Sequence, residues 1–164
     1  MQHADGGTAL GWIEQTALAT AMRQETWLYP AVEILHIWGF VTLVGSIAML
    51  DLRLLGLSRR MPVRQLSRHL LPWSWGALLV IVPTGVLMFI AHAGDFISNG
   101  AFVLKLALIS VAGINAVAFH LGPFRTVDEW DSGQPSPPAA KLHAGLSLLL
   151  WMGVIACGRL LAYL

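Results

Sequence analysis

Between Ile34 and Leu50 the chain carries no charged residue, and one imidazole, His36, stands inside that stretch. With Pro30 to Val32 in front, the run is long enough to cross a hydrocarbon core of roughly 30 Å at about 1.5 Å per residue. A segment like this restricts the chain to a membrane fold. It also puts an ionisable ring inside the membrane, near one end of the span. Such a group is costly there and marks a candidate functional site.

The composition agrees. Of 164 residues, 56% are hydrophobic and 12% charged, and mean hydropathy is +0.67. Soluble domains carry about twice that share of charge. The length suits one polytopic domain and no second folded unit. A net charge of +1 argues for no particular partner. The single cysteine, Cys157, excludes a disulfide within the chain. The N-terminal MQHADGGTALGW lacks a basic region followed by an apolar one, so no cleaved signal peptide is expected and the first span acts as the insertion signal.

Residues 1–29 read as a loose tail followed by an outer-face amphipathic helix. In Thr8 to Trp27, Leu10, Ile13, Ala17 and Ala21 recur at helical spacing against Glu14, Gln15, Arg23 and Gln24. Trp12 and Trp27 would sit at headgroup level. A frayed helix outside the membrane is the alternative. Residues 30–164 then form an all-α integral membrane domain, a four-helix transmembrane bundle running up-down-up-down. Its spans are expected at 30–52, 70–92, 101–121 and 141–163. Pro83 should kink the second. The turn Asp95 to Gly100 makes the second and third spans antiparallel neighbours. The long connection Gly122 to Ala140 is expected to be extended by Pro135, Pro137 and Pro138.

Basic residues set the orientation. Arg53, Arg59, Arg60, Arg64, Arg68, Arg125 and Lys141 flank one side, and Arg23 alone the other. The positive-inside rule places the arginine-rich side in the cytoplasm and both termini on the outer, periplasmic side of a bacterial inner membrane.

Apart from His3, every histidine lies in or at the end of a span. His36 and His92 fall in an outer layer; His69, His120 and His143 fall in an inner one. Bis-histidine haem ligation needs two neutral imidazoles from facing helices at one depth. The expected iron ligands are His36 with His92, and His120 with His143. His69 and His92 are 23 residues apart, so they share a face only if Pro83 bends the helix. Glycine spacings (His69 and Gly76, Gly85 and His92, Gly113 and His120, with Gly39 one turn below His36) would admit a tetrapyrrole plane, and equally suit close helix packing. Histidines at span ends can also simply reach headgroup water.

Further polar groups gather in the outer layer. Lys105 and Arg159 could hold haem propionates, or a quinone head group against His36; the plainer reading pairs Glu33 with one of them. Asp51 and Arg53 read as an interfacial ion pair, and Asn115 as bonding a neighbouring helix. Glu33-x-x-His36 has no second copy, so a di-iron site is rejected. Scattered methionines disfavour copper. The inner arginines lack aromatic interleaving and read as topology and lipid contacts, not nucleic acid.

At LHIWG (35–39), GSIAMLDLRLLG (45–56), NGAFVLKLAL (99–108) and CGRLLAY (157–163) the chain resembles a group of small, uncharacterised four-span bacterial inner-membrane proteins, over residues 28–164. That resemblance implies a fold and no activity. The architecture is also similar to four-helix b-type cytochromes in helix count and histidine layering. The function expected is a b-type cytochrome carrying one or two haems b. It would pass electrons between quinone and a larger redox complex or periplasmic electron-transfer protein. The alternative from another class is a cofactor-free accessory subunit of a larger membrane complex.

Overall fold

The computed structural model describes residues 9–131, 133–161 and 163; the tail 1–7, with His3, lies outside them. Its helices are α1 (Ala9–Glu14), α2 (Ala17–Gln24), α3 (Leu28–Leu55), α4 (Val63–Ala91), α5 (Ala93–Ser98), α6 (Gly100–Leu121), α7 (Val127–Trp130) and α8 (Pro138–Leu160). Four of them, α3, α4, α6 and α8, are long and apolar enough to cross a membrane. Their outward faces carry large apolar side chains at mid-helix: Trp38 is 73% exposed, Leu79 77%, Ile114 68% and Leu149 69%. In water such a surface would drive aggregation; against acyl chains it costs nothing. The fold fits a multi-pass membrane protein.

The bundle is built pairwise. α4 packs on α3, α3 on α8, and α8 on α6. At Gly39 the α3–α4 approach is so close that a β-carbon would stand 2.9 Å from Ile81 Cγ1. The fourth side is different. No Cα of α4 lies within 8 Å of one in α6. The short turn does make these two helices antiparallel, yet it does not make them packed neighbours as expected. The turn is itself a helix, α5, and it holds the two apart. At this end they are bridged by the rings of Phe89, Phe96 and Phe102, with centroids 5.0 to 6.4 Å apart.

The N-terminal segment also departs from the single surface helix expected. Thr16 breaks it: its hydroxyl donates to the Ile13 carbonyl at 2.8 Å and accepts from Ala19 N at 3.3 Å, so one helix ends and another starts. The buried face is Ala19 and Met22, with Met22 packed on Val32 and Ala91, while Ala17 is exposed. Burying Met22 contributes roughly 2 kcal/mol. This arm straps the junction of α4 and α5. Arg23 Nη1 donates to the Ala91 carbonyl at 2.8 Å, and Gly94 N donates to Glu14 Oε1 at 2.7 Å. Trp12 and Trp27 remain exposed.

The opposite end, which carries the arginine loop, is closed by the connection expected to be extended. Its first half folds into a 3-10 turn (Pro123–Thr126) and α7, and buries Val127 and Trp130 against Leu54, Val63, Phe119, Ala140 and Ala144. Apolar residues three apart, separated by Asp128 and Glu129, are the signal for that small helix. Asp51 and Arg53 are not the ion pair expected. Arg53 is 2% exposed and donates to three carbonyls, Met61 at 2.6 Å and Arg59 and Asp131 at 3.0 Å. Two residues on a helix are about 200° apart, so Arg53 and Asp51 face different neighbours. Gly56, at φ 118°, ends α3 by taking the left-handed conformation other residues avoid. α4 stays one helix through Pro72 and Pro83 and ends at His92.

Candidate functional site: three anchored imidazoles and an open helix gap

Three histidines are held in the same way. His36 Nδ1 lies 3.0 Å from Thr84 Oγ1, and Thr84 spends its own proton on the Val80 carbonyl at 2.7 Å. The threonine oxygen must therefore accept, and Nδ1 must carry the hydrogen. His120 Nδ1 lies 2.9 Å from the Ala116 carbonyl, which can only accept. His143 Nδ1 lies 2.7 Å from Asn115 Oδ1, whose amide nitrogen donates back to the His143 carbonyl at 3.0 Å. That second bond fixes which end of the amide faces the ring. In all three, the neutral ring carries its proton on Nδ1 and its lone pair on Nε2. Metal-bound histidines are oriented by the same device.

The surroundings differ. Gly85 leaves the space into which His36 fits: a β-carbon there would be 3.2 Å from His36 Cε1. The Ile81 carbonyl also faces this ring, without completing a second hydrogen bond. His120 and His143 both lie against Phe119, with ring centroids 5.3 and 6.1 Å away, and Phe124 is 5.1 Å from His120. His120 Nε2 is buried with no hydrogen-bond partner among the described residues.

The expected outer pair is not brought together. His92 ends α4 and meets Tyr29 edge-on at 5.7 Å. It is eight residues beyond Thr84, about 12 Å along the helix, so His36 and His92 do not share one depth. His69 is exposed and has no partner among the described residues. Gly76 and Gly113 face open space, not a neighbouring helix.

Of the two expected cations, Lys105 reaches inward. Its Nζ would be 3.8 Å from a β-carbon on Gly158, and it is within electrostatic reach of His36 and of the buried Cys157. No carboxylate pairs with it among the described residues; Glu33 is exposed instead. Arg159 turns away. It is exposed, bonds the Tyr163 hydroxyl, and lies 4.7 Å over that ring. A shallow depression of about 520 Å³, lined by Asp95, Asn99, Ala101 and Leu161 among others, lies about one turn above Lys105 and apart from His36.

Sequence reasoning had no signal for Thr84 as the partner of His36. A threonine in an apolar span next to a proline reads as a helix-bending residue until the facing helix is known. Asn115 does bond a neighbouring helix, α8, as expected, and its partner there is a histidine. No group of three histidine, cysteine or acidic side chains converges among the described residues.

Residues 10–164 match the model of a family described as "Family of unknown function (DUF6644)". No curated protein and no solved structure matches the chain.

Proposed function

The chain belongs to this family of unknown function, and from that premise we propose that it is a haem-binding electron-transfer subunit, a membrane b-type cytochrome. The observation that carries the reading is the orphaned Nε2 of His120, whose ring shares Phe119 with that of His143 on the adjacent helix, each ring anchored through Nδ1. A buried nitrogen lone pair with no donor is a position that a ligand completes. His120 and His143 would hold the iron, with Phe119 and Phe124 as aromatic surround. Haem b would supply one-electron transfer. Ala116 and Asn115 hold the ring protons on Nδ1, which keeps both Nε2 lone pairs available. One haem, in this inner layer, fits the donor set; His36 with His92 does not fit a second, because they lie at different depths.

His36 and Lys105 have another role in this reading. His36 lies on α3 against α4 and Lys105 on α6 against α8, and a quinone head group entering from the membrane between α4 and α6 would meet a cation and an imidazole lone pair. The arm end would face outward, toward a periplasmic electron-transfer protein or larger redox complex, in a bacterial inner membrane with the arginine loop in the cytoplasm.

A dithionite-minus-air spectrum of the protein, purified from cells that make haem, tests the proposal. A b-type α-band is expected, lost in His120→Ala and His143→Ala and kept in His69→Ala. A flat trace from the wild type removes the reading. The separation of α4 and α6 favours one other: a cofactor-free accessory subunit whose open side receives a helix of a larger complex. Colourless protein that co-purifies with a stoichiometric membrane partner would support it.

A further inference from the structure

Asp51 is a carboxylic acid in the wrong solvent. It lies on α3 four residues from the helix end, about 6 Å along the axis. It is 6% exposed. The Ser147 hydroxyl of α8 faces one of its oxygens. The other, Oδ2, is buried with no partner among the described residues. A carboxyl retained only for packing would have both oxygens satisfied, since an unpaired buried oxygen is destabilising and leucine would fill the space without that penalty.

The charged groups nearby are occupied elsewhere. On its own helix, Arg53 faces the loop carbonyls of Arg59, Met61 and Asp131. On α4, Arg64 pairs with Asp128 at 2.7 Å, and Arg68 and His69 are exposed. In the connecting segment, Asp131 Oδ1 accepts from Arg64 N at 2.8 Å and Glu129 is exposed. On α8, His143 is one turn from Ser147 and bonds Asn115 on α6; Lys141 lies in the first turn of the helix. No cation is paired with Asp51 among the described residues.

We infer that Asp51 is a reversible proton-binding site inside the bundle, exchanging with the aqueous phase at the arginine-loop end. Its carboxylate takes a proton from hydronium to give the neutral acid and water, and returns it by the reverse step. Ser147 faces one oxygen, and the unpartnered Oδ2 is where the proton arrives. Ion-transporting membrane proteins place isolated carboxyls in this manner. A metal cation is the poorer occupant: hard cations need around six oxygen ligands, and here one carboxyl and one hydroxyl converge. The inference does not rest on haem binding.

Dicyclohexylcarbodiimide, which reacts with protonated carboxyls in apolar surroundings, provides the test. The full chain in liposomes is treated across a pH series, and the adduct is located by peptide mass. A single adduct on Asp51 is expected, falling as pH rises, absent from Asp51→Asn and retained in Ser147→Ala. Exchanging potassium for sodium at constant ionic strength should not change it. Wild-type protein that stays unlabelled at Asp51 at every pH overturns the inference, as does labelling that ignores pH or is blocked by sodium.

Discussion

His36 and Thr84 are joined at 3.0 Å across the α3–α4 interface, and the direction of that bond is set by the Val80 carbonyl behind the threonine. Removing the hydroxyl leaves a part-buried ring nitrogen without an acceptor. Thr84→Val should cost about 1–3 kcal/mol of stability. It should also release the tautomer, seen by nitrogen NMR of the imidazole as a larger share of protonated Nε2. Thr84→Ser should keep both properties. An unchanged tautomer in the valine variant would show that the hydroxyl does not orient the ring.

Asn115 makes two hydrogen bonds to one residue, His143. Asn115→Leu therefore strands the His143 Nδ1–H and removes the second bond to the His143 carbonyl, which keeps its bond within α8, with an expected loss on the order of 2 kcal/mol in thermal or denaturant unfolding in detergent. A double-mutant cycle with His143→Ala should give a coupling energy of at least about 0.5 kcal/mol, because the two side chains share one interaction. Additive losses would place the two residues in separate networks.

Gly39 and Gly113 should respond oppositely to the same change. A methyl at Gly39 meets Ile81 at 2.9 Å and the Ala77 carbonyl at 3.4 Å, whereas nothing lies within 4 Å of one at Gly113. Gly39→Ala should cost about 1–3 kcal/mol by overpacking. Gly113→Ala should be neutral or stabilising by up to about 1 kcal/mol. Equal effects in a melting experiment would contradict the tight α3–α4 contact.

Arg53 serves three carbonyls with one planar group. Lysine keeps the charge but cannot reproduce that fork. Arg53→Lys should lose on the order of 2 kcal/mol and loosen the loop cap, visible as faster proteolysis near Arg59 and Arg60. The exposed Arg64–Asp128 pair, at 40% and 70% side-chain exposure, should matter far less. Asp128→Asn is expected to cost less than about 1 kcal/mol.

The arginine loop and α5 lie at opposite ends of the bundle. In a Cys157→Ser background, Arg64→Cys and Ile97→Cys should differ in reaction with a membrane-impermeant thiol reagent on intact cells. Position 97 should label and position 64 should not. Equal access would sink the proposed orientation.

The four long helices were legible because a span is a local property. Its length and lack of charge are written in consecutive residues, and the expected spans at 30–52, 70–92, 101–121 and 141–163 lie within or close to α3, α4, α6 and α8. Ends are less legible: α4 starts at Val63, not 70, because Arg64, Ser67 and Arg68 are polar yet helical, and polarity does not mark where a helix begins. The 3-10 turn and α7 were hidden by the prolines that follow them.

Partnership was decided by the tertiary structure alone. Histidine positions along the chain gave approximate depths, but depth does not say which face a ring takes or what waits there. The 3.0 Å meeting of His36 with Thr84, the shared Phe119 of His120 and His143, and the outward turn of Arg159 onto Tyr163 all depend on helix rotation and on which helices pack. Rotation is set by close contacts such as Gly39 on Ile81, between residues far apart in sequence. The chain by itself determined that four apolar helices carry imidazoles within them or at their ends. Only packing decided that α4 and α6 stand apart, and that Asp51 faces a serine instead of an arginine two residues away.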